Sequence, residues 1–375
     1  MNKGISYVGL DVHKNFIQVA LIAAGSDDLL EWRTPSTSSK VAAMIRKLRK
    51  LGGERVEICY EAGPTGYGLA RKLNEVEVFG CRVIAPSLIP KKPGERVKTD
   101  RRDAVKLATY LKSGLLTEVQ PPTPEEEARR DLCRARMAAK DDEKSAKHRL
   151  SKFLLRQGRT YGETKKNWTN THLVWLERQK FDLAHLQVVF DSYLRAVNQA
   201  GERVAELDRA LEAAAEDEAI REPVALLQCF KGVRITTAMC LVTELYDIER
   251  FSSPRGLMSF IGLTASEHST GGHAKRGGIT KAGNSRLRRI LTEVAWNQIR
   301  SNKTGYALRR RRQGQPGWAV DIADRAQHRL YGRYWRLVSK GKHKNTAATA
   351  VAREFAGFVW AMLMNHKLQL QEAHA

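Results

Sequence analysis

Four acidic residues in the first third of the chain stand where carboxylates could hold metal ions. Asp11 and Glu61 each follow a short apolar run, which presents their side chains at the ends of two predicted strands. Asp100 and Asp103 stand three residues apart at the start of a predicted helix, so both lie on one helical face. Carboxylates brought together repel each other, and divalent cations relieve that repulsion. Such oxygen ligands favour Mg²⁺ or Mn²⁺, and two ions about 3.5–4 Å apart can promote in-line phosphoryl transfer.

Each of these acids also has a purely structural interpretation. Asp100 and Asp103 suit the first turn of a helix, where the helix dipole favours negative charge, and acids after strands are common in turns. We favour the metal site because all four acids occur together in this order. A sugar kinase or an actin-like ATPase also opens with a strand, Gly and Asp. It needs a small residue next to admit phosphates, whereas Val12-His13-Lys14 follow here.

Strand and helix patterns over residues 5–112 predict the sheet that must position the four acids. The first three β-rich runs predict an antiparallel meander. Strands and helices then alternate, which predicts a mixed α/β sheet. The predicted strands are 5–10, 16–23, 29–33, 56–60 and 81–84, and the predicted helices are 41–51, 66–73 and 100–112. The break at Pro121-Pro122-Thr123-Pro124 ends this first domain, which we assign to residues 1–122.

A charged, helix-prone segment at 125–157 opens a second region, which we assign to residues 123–222. The apolar residues of the helix that follows alternate spacings of four and three, a pattern typical of a coiled coil. These residues are Leu186, Phe190, Tyr193, Val197, Ala200, Val204, Leu207 and Leu211. The sequence leaves open whether this face pairs with 125–157 or with a second subunit. We favour a role in assembly.

The third region, residues 223–375, is predicted to be mostly helical. Residues 262–283 are predicted to form a glycine-rich loop, and a basic amphipathic helix is predicted to start at Asn284. A last apolar helix is predicted over residues 346–364. We assign its large apolar side chains to the core, namely Val351, Phe355, Phe358 and Met362.

The positive charge of the chain is large and unevenly spread. The formal net charge is +23, and residues 275–345 hold nineteen Lys and Arg against three acids. Positive charges concentrated in one region repel one another unless a polyanion neutralises them. This concentration therefore indicates that the region binds nucleic acid. A solvated basic surface is the alternative, and a basic membrane-surface helix is a weaker one. The aromatic residues among these arginines suit either base stacking or the core, and they are Trp318, Tyr331, Tyr334 and Trp335.

The cysteines and the apolar runs exclude other classes. The five cysteines form no C-x-x-C pair and have no histidine at zinc-finger spacing, so a structural zinc site is not expected. A charged-then-apolar leader is absent, as is a run of about 18 apolar residues. We therefore expect neither secretion nor a membrane span, and a reducing cytoplasm fits.

Three motifs around the four acids, and a fourth in the third region, resemble a known family. The first three are similar to the catalytic blocks of DEDD transposases, whose N-terminal domain is RuvC-like. The fourth is similar to the signature of their C-terminal transposase domain. The motifs are Gly9-Leu10-Asp11-Val12-His13-Lys14, Tyr60-Glu61-Ala62-Gly63-Pro64-Thr65-Gly66, Lys98-Thr99-Asp100-Arg101-Arg102-Asp103-Ala104, and Phe260-Ile261-Gly262-Leu263 through Ser269-Thr270-Gly271-Gly272 and Gly277-Gly278-Ile279-Thr280-Lys281 to Gly283-Asn284. The resemblance covers nearly the whole chain.

The resemblance implies a fold and an activity. It implies an α/β ribonuclease-H/RuvC-like catalytic domain, an α-helical coiled-coil insertion and a mostly α C-terminal transposase domain. It also implies that Asp11, Glu61, Asp100 and Asp103 are Mg²⁺ (or Mn²⁺) ligands. Members of the family are encoded by insertion sequences and act as homodimers that pair into tetramers. They recombine target and donor DNA selected by a structured bridge RNA, and a serine links covalently to the DNA.

Ser269 matches the position of that serine best, because the glycines after Thr270 allow close backbone approach to a phosphate. Ser266 is the alternative, and Thr270 stands where a second serine is expected. A serine hydroxyl needs a base or a metal to become a nucleophile. His268 and His273 are near in sequence, but we expect activation by the metal–carboxylate site. The active centre would then be composite, within one subunit or across two.

We therefore expect a transposase or recombinase that cleaves and exchanges DNA strands through a phosphoserine intermediate. Two other functions stay open at this point. One is a metal-dependent nuclease or Holliday-junction resolvase in which water attacks and serine is dispensable. The other is a non-catalytic nucleic-acid-binding scaffold that uses only the basic C-terminal region.

Overall fold

The computed structural model describes residues 4–26, 28–90, 99–162, 166–270 and 273–374. The chain folds as two compact units, Met1–Pro122 and Thr123–Ala375. Lys98, Gly271 and Gly272 of the family motifs lie outside the described residues.

The first unit is a sheet with helices on both faces. Its strands are β1 (Ile5–Val12), β2 (Phe16–Ile22), β3 (Leu29–Pro35), β4 (Arg55–Glu61), β5 (Phe79–Ile84) and β6 (Glu118–Val119), and its helices are α1 (Ser38–Leu51), α2 (Gly68–Asn74) and α3 (Asp100–Lys112). The strand order is β3-β2-β1-β4-β5-β6, with β1, β4 and β5 parallel to one another. The predicted meander and mixed α/β sheet are confirmed. The short edge strand β6 was not predicted, because two residues carry no periodicity.

Alternate residues of the central strands face the two helical layers. Val8 and Leu10 of β1 are fully buried and pack in one cluster with α1 and α2. Cys59 of β4 lies in a separate cluster with Leu107 of α3. The five inner residues of β4 are all buried, as is typical of a parallel strand covered on both faces.

Gly9 allows α3 to lie directly on β1. A Cβ atom at Gly9 would stand 2.1 Å from the carbonyl oxygen of Ala104 and 2.5 Å from the backbone nitrogen of Ala108. Both alanines are fully buried, and their small side chains keep the helix close to the strand. This contact fixes where the first turn of α3, with Asp100 and Asp103, lies relative to the end of β1.

The second unit is mostly helical, as predicted, with a β-hairpin. Its elements are α4 (Pro124–Arg156), α5 (Asn170–Glu177), α6 (Ala184–Ala214), α7 (Glu218–Leu227), α8 (Ile235–Leu245), α9 (Pro254–Ile261), β7 (Ala265–Thr270), β8 (His273–Ile279), α10 (Ser285–Gln298), α11 (Tyr306–Arg312), α12 (Gly317–Ser339) and α13 (Lys344–His374). The predicted boundary between residues 222 and 223 falls inside α7. The three-part division of the chain stays a prediction.

The predicted heptad face of α6 packs against α4 within the chain. Its buried positions, spaced by seven residues, are Phe190, Val197, Val204 and Leu211. Arg136 of α4 pairs with Asp208 at 2.7 Å, and Asp142 of α4 pairs with Arg203 at 3.2 Å. The order of these pairs shows that the two helices are antiparallel. A coiled coil, or a role of this pair in assembly, stays a prediction.

Helix α13 belongs to the core of the second unit. By length and composition alone it could cross a membrane, but half of its most apolar stretch is buried. Val351, Phe355 and Met362 are fully buried, as predicted, and Phe355 meets Phe230 edge to face with ring centroids 5.2 Å apart. Phe358 is only partly buried, because it packs at the rim of this core.

The prediction of a glycine-rich loop over residues 262–283 is wrong. The segment forms the antiparallel hairpin β7–β8, with a register shift between Ala265 and Glu267. Neither strand shows an alternation of apolar and polar residues. Ile279 at the end of β8 packs against the core, whereas the described side chains from 265 to 278 are exposed or half-buried. The backbone ladder holds this hairpin together, and a hydrophobic pattern cannot reveal such a structure.

We expect Gly9→Ala to destabilise the first unit by about 3 kcal/mol, the upper end for overpacking of a core. The added methyl group must push α3 away from β1. Urea unfolding followed by circular dichroism measures the loss. Gly68→Ala in α2 is the matched control, because a Cβ atom there meets nothing within 4 Å. Equal unfolding midpoints for the two variants would contradict the close approach described above.

Candidate active site

The ends of β1 and β4 bring Asp11 and Glu61 to the same edge of the sheet. The two strands are parallel, and Leu10 pairs with Tyr60 in register. Asp11 and Glu61 follow this pair on neighbouring strands, which lie roughly 4.8 Å apart in a sheet. Glu61 is exposed and in register with Ile84 of β5.

The first turn of α3 adds Asp100 to this edge, and His13 lies between the two aspartates. His13 Nε2 is 3.0 Å from Asp11 Oδ2 and 3.6 Å from Asp100 Oδ1. One ligand atom from each of these three residues lies within 4.8 Å of the other two. Asp11 and Asp100 therefore come together as the sequence predicts, and the structure adds an imidazole.

Burial raises the pKa of Asp11 above its ordinary value, and the charges of Asp100 and Asp103 raise it further. The hydrogen bond and the charge of His13 act against this increase. The side chain of Asp11 is 23% exposed, and that of Asp100 is 48% exposed. Partial burial and nearby like charges make ionised Asp11 costly, and a bound cation removes this cost.

The four predicted acids differ in how closely they approach. Asp103 lies one turn after Asp100 on α3 and acts electrostatically on Asp11. Glu61 stands at the adjacent strand end but outside the tight group of ligand atoms. His13 was not predicted as a site residue. Its position two residues after Asp11 was the only available signal, and one histidine near a strand end is a weak one.

Ser269 lies on the exposed surface of the β7–β8 hairpin and has a carboxylate partner. Its Oγ donates a hydrogen bond to Glu267 Oε1 at 2.7 Å, and Arg276 Nε donates to Glu267 Oε2 at 3.2 Å. Glu267 and Arg276 are paired in the ladder. The hydrogen bonds of Ser269 and Arg276, with the arginine charge, lower the pKa of Glu267. Glu267 was not predicted as a site residue, because this arrangement depends on the strand register.

Ser266 has a different environment. Its Oγ donates a hydrogen bond to the backbone oxygen of Gly278 at 3.1 Å, and a Cβ atom at Gly277 would lie 2.5 Å from that Oγ. Ser266 therefore contributes to the joining of the two strands. The side chains of His268, Thr270 and His273, which also occur in this region, lie outside the described part of the structure.

The base of the hairpin is fixed by backbone contacts and by a buried carboxylate. A Cβ atom at Gly283 (φ +67°) would lie 1.9 Å from the carbonyl oxygen of Phe260. Asn284 caps α10 through its Oδ1 and donates from its Nδ2 to Glu244 Oε2 at 2.7 Å. Glu244 is buried and also accepts two hydrogen bonds from Arg134, at 2.7 and 3.0 Å. These contacts hold the segment after β8 against the end of α9 and join it to α8 and, through Glu244, to α4.

Comparisons with known proteins identify the family of the chain. Residues 8–157 match the family model of DEDD transposases of the IS110 type, described as a transposase. Residues 224–309 match the model described as the transposase IS116/IS110/IS902 family. The transposase for insertion sequence element IS1533 of Leptospira borgpetersenii is 36% identical over 90% of this chain and 97% of its own length. The chain is a transposase of the IS110/IS116 family.

Two further relatives agree with this assignment. The protein y4qE of Sinorhizobium fredii, named as a candidate transposase, is 39% identical over 95% of this chain and 88% of its own. The transposase for insertion sequence element IS1111A of Coxiella burnetii is 24% identical over 71% of this chain and 66% of its own. The transposase is thus an enzyme of DNA recombination. Its DEDD family and its acidic cluster together suggest a divalent metal.

We expect Asp11→Asn to stabilise the metal-free transposase at pH 7. Asp11 has a pKa above its ordinary value of 3.8, so its ionisation costs stability as the pH rises through and beyond that value. The neutral amide removes this cost, and the melting temperature in EDTA should rise by roughly 1–3 °C.

The same measurement with Mg²⁺ or Mn²⁺ tests for a metal site. The cation should raise the melting temperature of the wild-type transposase and not that of Asp11→Asn, because a ligand stabilises only a state that binds it. Asp131→Asn, at an exposed position of α4, is the control and should behave as wild type. An equal metal-induced increase in Asp11→Asn would exclude Asp11 as a ligand.

Proposed function

We propose that this transposase cuts and rejoins DNA through a phosphoserine intermediate on Ser269, with divalent metal at the acidic cluster. The observation that carries the proposal is the paired geometry of Ser269, whose hydroxyl already donates to the carboxylate of Glu267. Ser266, the alternative nucleophile, donates instead to the backbone. An exposed serine with a local proton acceptor is the better nucleophile.

In the proposed metal site, Asp11, Glu61, Asp100 and Asp103 hold Mg²⁺ or Mn²⁺. Carboxylate oxygens are the donors that these hard cations prefer, and the raised pKa of Asp11 fits a site that expects a positive charge. His13 fits less well as a Mg²⁺ ligand. We assign it to orienting Asp11, with which it shares a hydrogen bond. When bound, the metal supplies Lewis-acid stabilisation of charge on the phosphate and the leaving oxygen.

The cleavage step needs a proton acceptor for the serine. As Ser269 Oγ attacks the phosphorus atom, its proton passes to Glu267, and an Oγ–P bond forms. The P–O bond to one side of the DNA strand breaks, and the leaving deoxyribose oxygen takes a proton from solvent. Arg276 holds Glu267 in place and keeps it ionised, because its positive charge lowers the pKa of the carboxyl group.

The rejoining step reverses the cleavage step with a new strand. A deoxyribose hydroxyl of the new strand attacks the phosphorus atom of the phosphoserine and gives its proton to solvent. The Oγ–P bond breaks, and Ser269 leaves with the proton that Glu267 holds. The intermediate keeps the energy of one phosphodiester bond, so the reaction needs no high-energy cofactor. This chemistry serves strand exchange rather than net hydrolysis.

The wider setting of the reaction follows from the family. We propose that a structured bridge RNA selects the target and donor DNA, and that homodimers pair into tetramers around them. The active centre would combine the acidic cluster and Ser269, either in one subunit or across two. Action on DNA supports a cytoplasmic location next to the nucleoid. The excess of positive charge in residues 275–345 supports contact with both nucleic acids.

We predict that Ser269→Ala abolishes the covalent protein–DNA adduct, because the substitution removes the proposed attacking oxygen. Labelled DNA and denaturing gel electrophoresis detect the adduct. Ser266→Ala is the matched control and should keep it. An adduct in Ser269→Ala would exclude Ser269 as the nucleophile.

Two other results would favour the alternative functions. DNA cleavage by the wild type without any adduct would favour a plain nuclease. Recombination that survives Asp11→Ala together with Glu61→Ala would favour a nucleic-acid-binding scaffold.

We predict that Glu267→Gln slows adduct formation about 100-fold or more, the usual contribution of a general base. Glu267→Asp should recover part of the rate. The pH profile separates this role from a structural one. Arg276→Gln removes the arginine charge and lets the pKa of Glu267 rise. As the pH is lowered, adduct formation by Arg276→Gln should therefore fall at a higher pH than adduct formation by wild type. Profiles with the same acid limb would contradict proton transfer to Glu267.

A further inference from the structure

The four consecutive arginines of α11 divide into two pairs with different surroundings. Arg311 Nε donates to the carbonyl oxygen of Gln228 at 3.2 Å, and Arg312 Nε donates to that of Cys229 at 2.9 Å. Arg312 also pairs with Asp324 of α12 at 2.7 Å. This inner pair fastens the short helix onto the end of α7 and onto α12.

The outer pair, Arg309 and Arg310, is exposed on the opposite side of the helix. Neither guanidinium forms an ion pair with a residue in the described part of the chain. Tyr306 precedes them by three and four residues, so the three side chains share one helical face. The side chain of Tyr306 is exposed, at 76% relative accessibility, more than any other large hydrophobic residue of the described chain.

This face opens onto a groove with a volume of about 710 Å³. Tyr306, Arg309, Arg310 and Gln313 line it from α11, and Val320 lines it from α12. Arg312 also reaches the groove, but its charge is already paired with Asp324. The groove is open to solvent, and it combines an aromatic ring, unpaired positive charge and an amide.

The three aromatic residues at 331–335 in the basic region contact one another instead. Tyr334 is buried in the core, and Trp335 packs edge to face against it with ring centroids 5.2 Å apart. Trp335 is 48% exposed but its ring packs against Tyr334, whereas Tyr306 is 76% exposed and stands next to Arg309 and Arg310, which form no ion pair in the described part of the chain. An exposed ring beside unpaired guanidinium groups is the arrangement that binds unstacked bases and their phosphates.

We propose that this groove binds an unpaired stretch of nucleic acid, with one base stacked on Tyr306 and the adjoining phosphates held by Arg309 and Arg310. The inference rests on the nucleic-acid partners of the proposed function and gives them a specific contact. A fully paired duplex hides the faces of its bases, so the groove discriminates against it. An acidic peptide needs the arginines but not the aromatic ring. The unpaired strand is DNA or RNA, which have this chemistry in common.

Binding of labelled 12-nucleotide strands to the full chain tests the proposal. Fluorescence anisotropy is measured in EDTA, so that catalysis by the acidic cluster does not contribute. Single-stranded DNA, single-stranded RNA and duplex DNA form separate arms. Tyr306→Ala should weaken binding of at least one single strand about 5- to 150-fold, as expected for loss of one stacked base. Tyr306→Phe should retain affinity, and the duplex should change less than about 2-fold.

The arginines are tested through the salt dependence of binding. Arg309→Gln with Arg310→Gln should reduce the slope of log K against log salt by about 1.4 on single strands, at about 0.7 for each phosphate contact. Tyr306→Ala should leave this slope unchanged. Arg178→Gln with Arg195→Gln removes the same charge at exposed positions of the α5–α6 region and is the control.

Three results would overturn the proposal. Unchanged affinity of Tyr306→Ala for both single strands would remove the stacking contact. If Tyr306→Ala lost as much affinity for duplex DNA as for single strands, the groove would be a general electrostatic surface. If Tyr306→Ala lost as much affinity for polyglutamate as for single strands, the groove would be an acidic peptide site. These binding results would leave the proposed role of Ser269 unaffected, because that role is tested separately, by adduct formation in the presence of metal.

Discussion

The close approach of α3 to β1 at Gly9 is the constraint on which the acidic cluster depends. A helix at the usual distance from a sheet would hold its first turn away from the strand end. Gly9, Ala104 and Ala108 together remove the side-chain bulk between the two elements. The acids on α3 therefore share one edge of the sheet with Asp11, although about ninety residues of sequence separate them.

Packing and electrostatics oppose each other at this edge. The apolar contacts of α3 bring like charges together, and burial raises the pKa of Asp11 in addition. His13 offsets part of the repulsion through its hydrogen bond. The packing of α3 thus holds together carboxylates whose repulsion a cation would relieve. Such destabilising arrangements are common at functional sites.

Much of the fold follows from the sequence, and the limits of that inference have physical causes. The bounds of α3 and the meander β1–β2–β3 follow from apolar periodicity, since these elements bury one face. The β7–β8 hairpin buries no such face, so its sequence resembles a loop. Asp11 and Asp100 are predictable from strand ends and helix starts. Glu267 and Tyr306 are not, because the role proposed for Glu267 depends on the register of the hairpin and that proposed for Tyr306 depends on which side of a short helix is anchored.

The hairpin that carries Ser269 is held at its base and contributes little to the core. Gly283 and Asn284 fix its ends, while its described side chains from 265 to 278 are exposed or half-buried. Apart from Ser266 and Gly277, which meet between the strands, residues there should tolerate substitution better than the buried Glu244 and its partner Arg134. An insertion sequence can thus diversify the surface of this hairpin with little risk to the solubility or abundance of the enzyme.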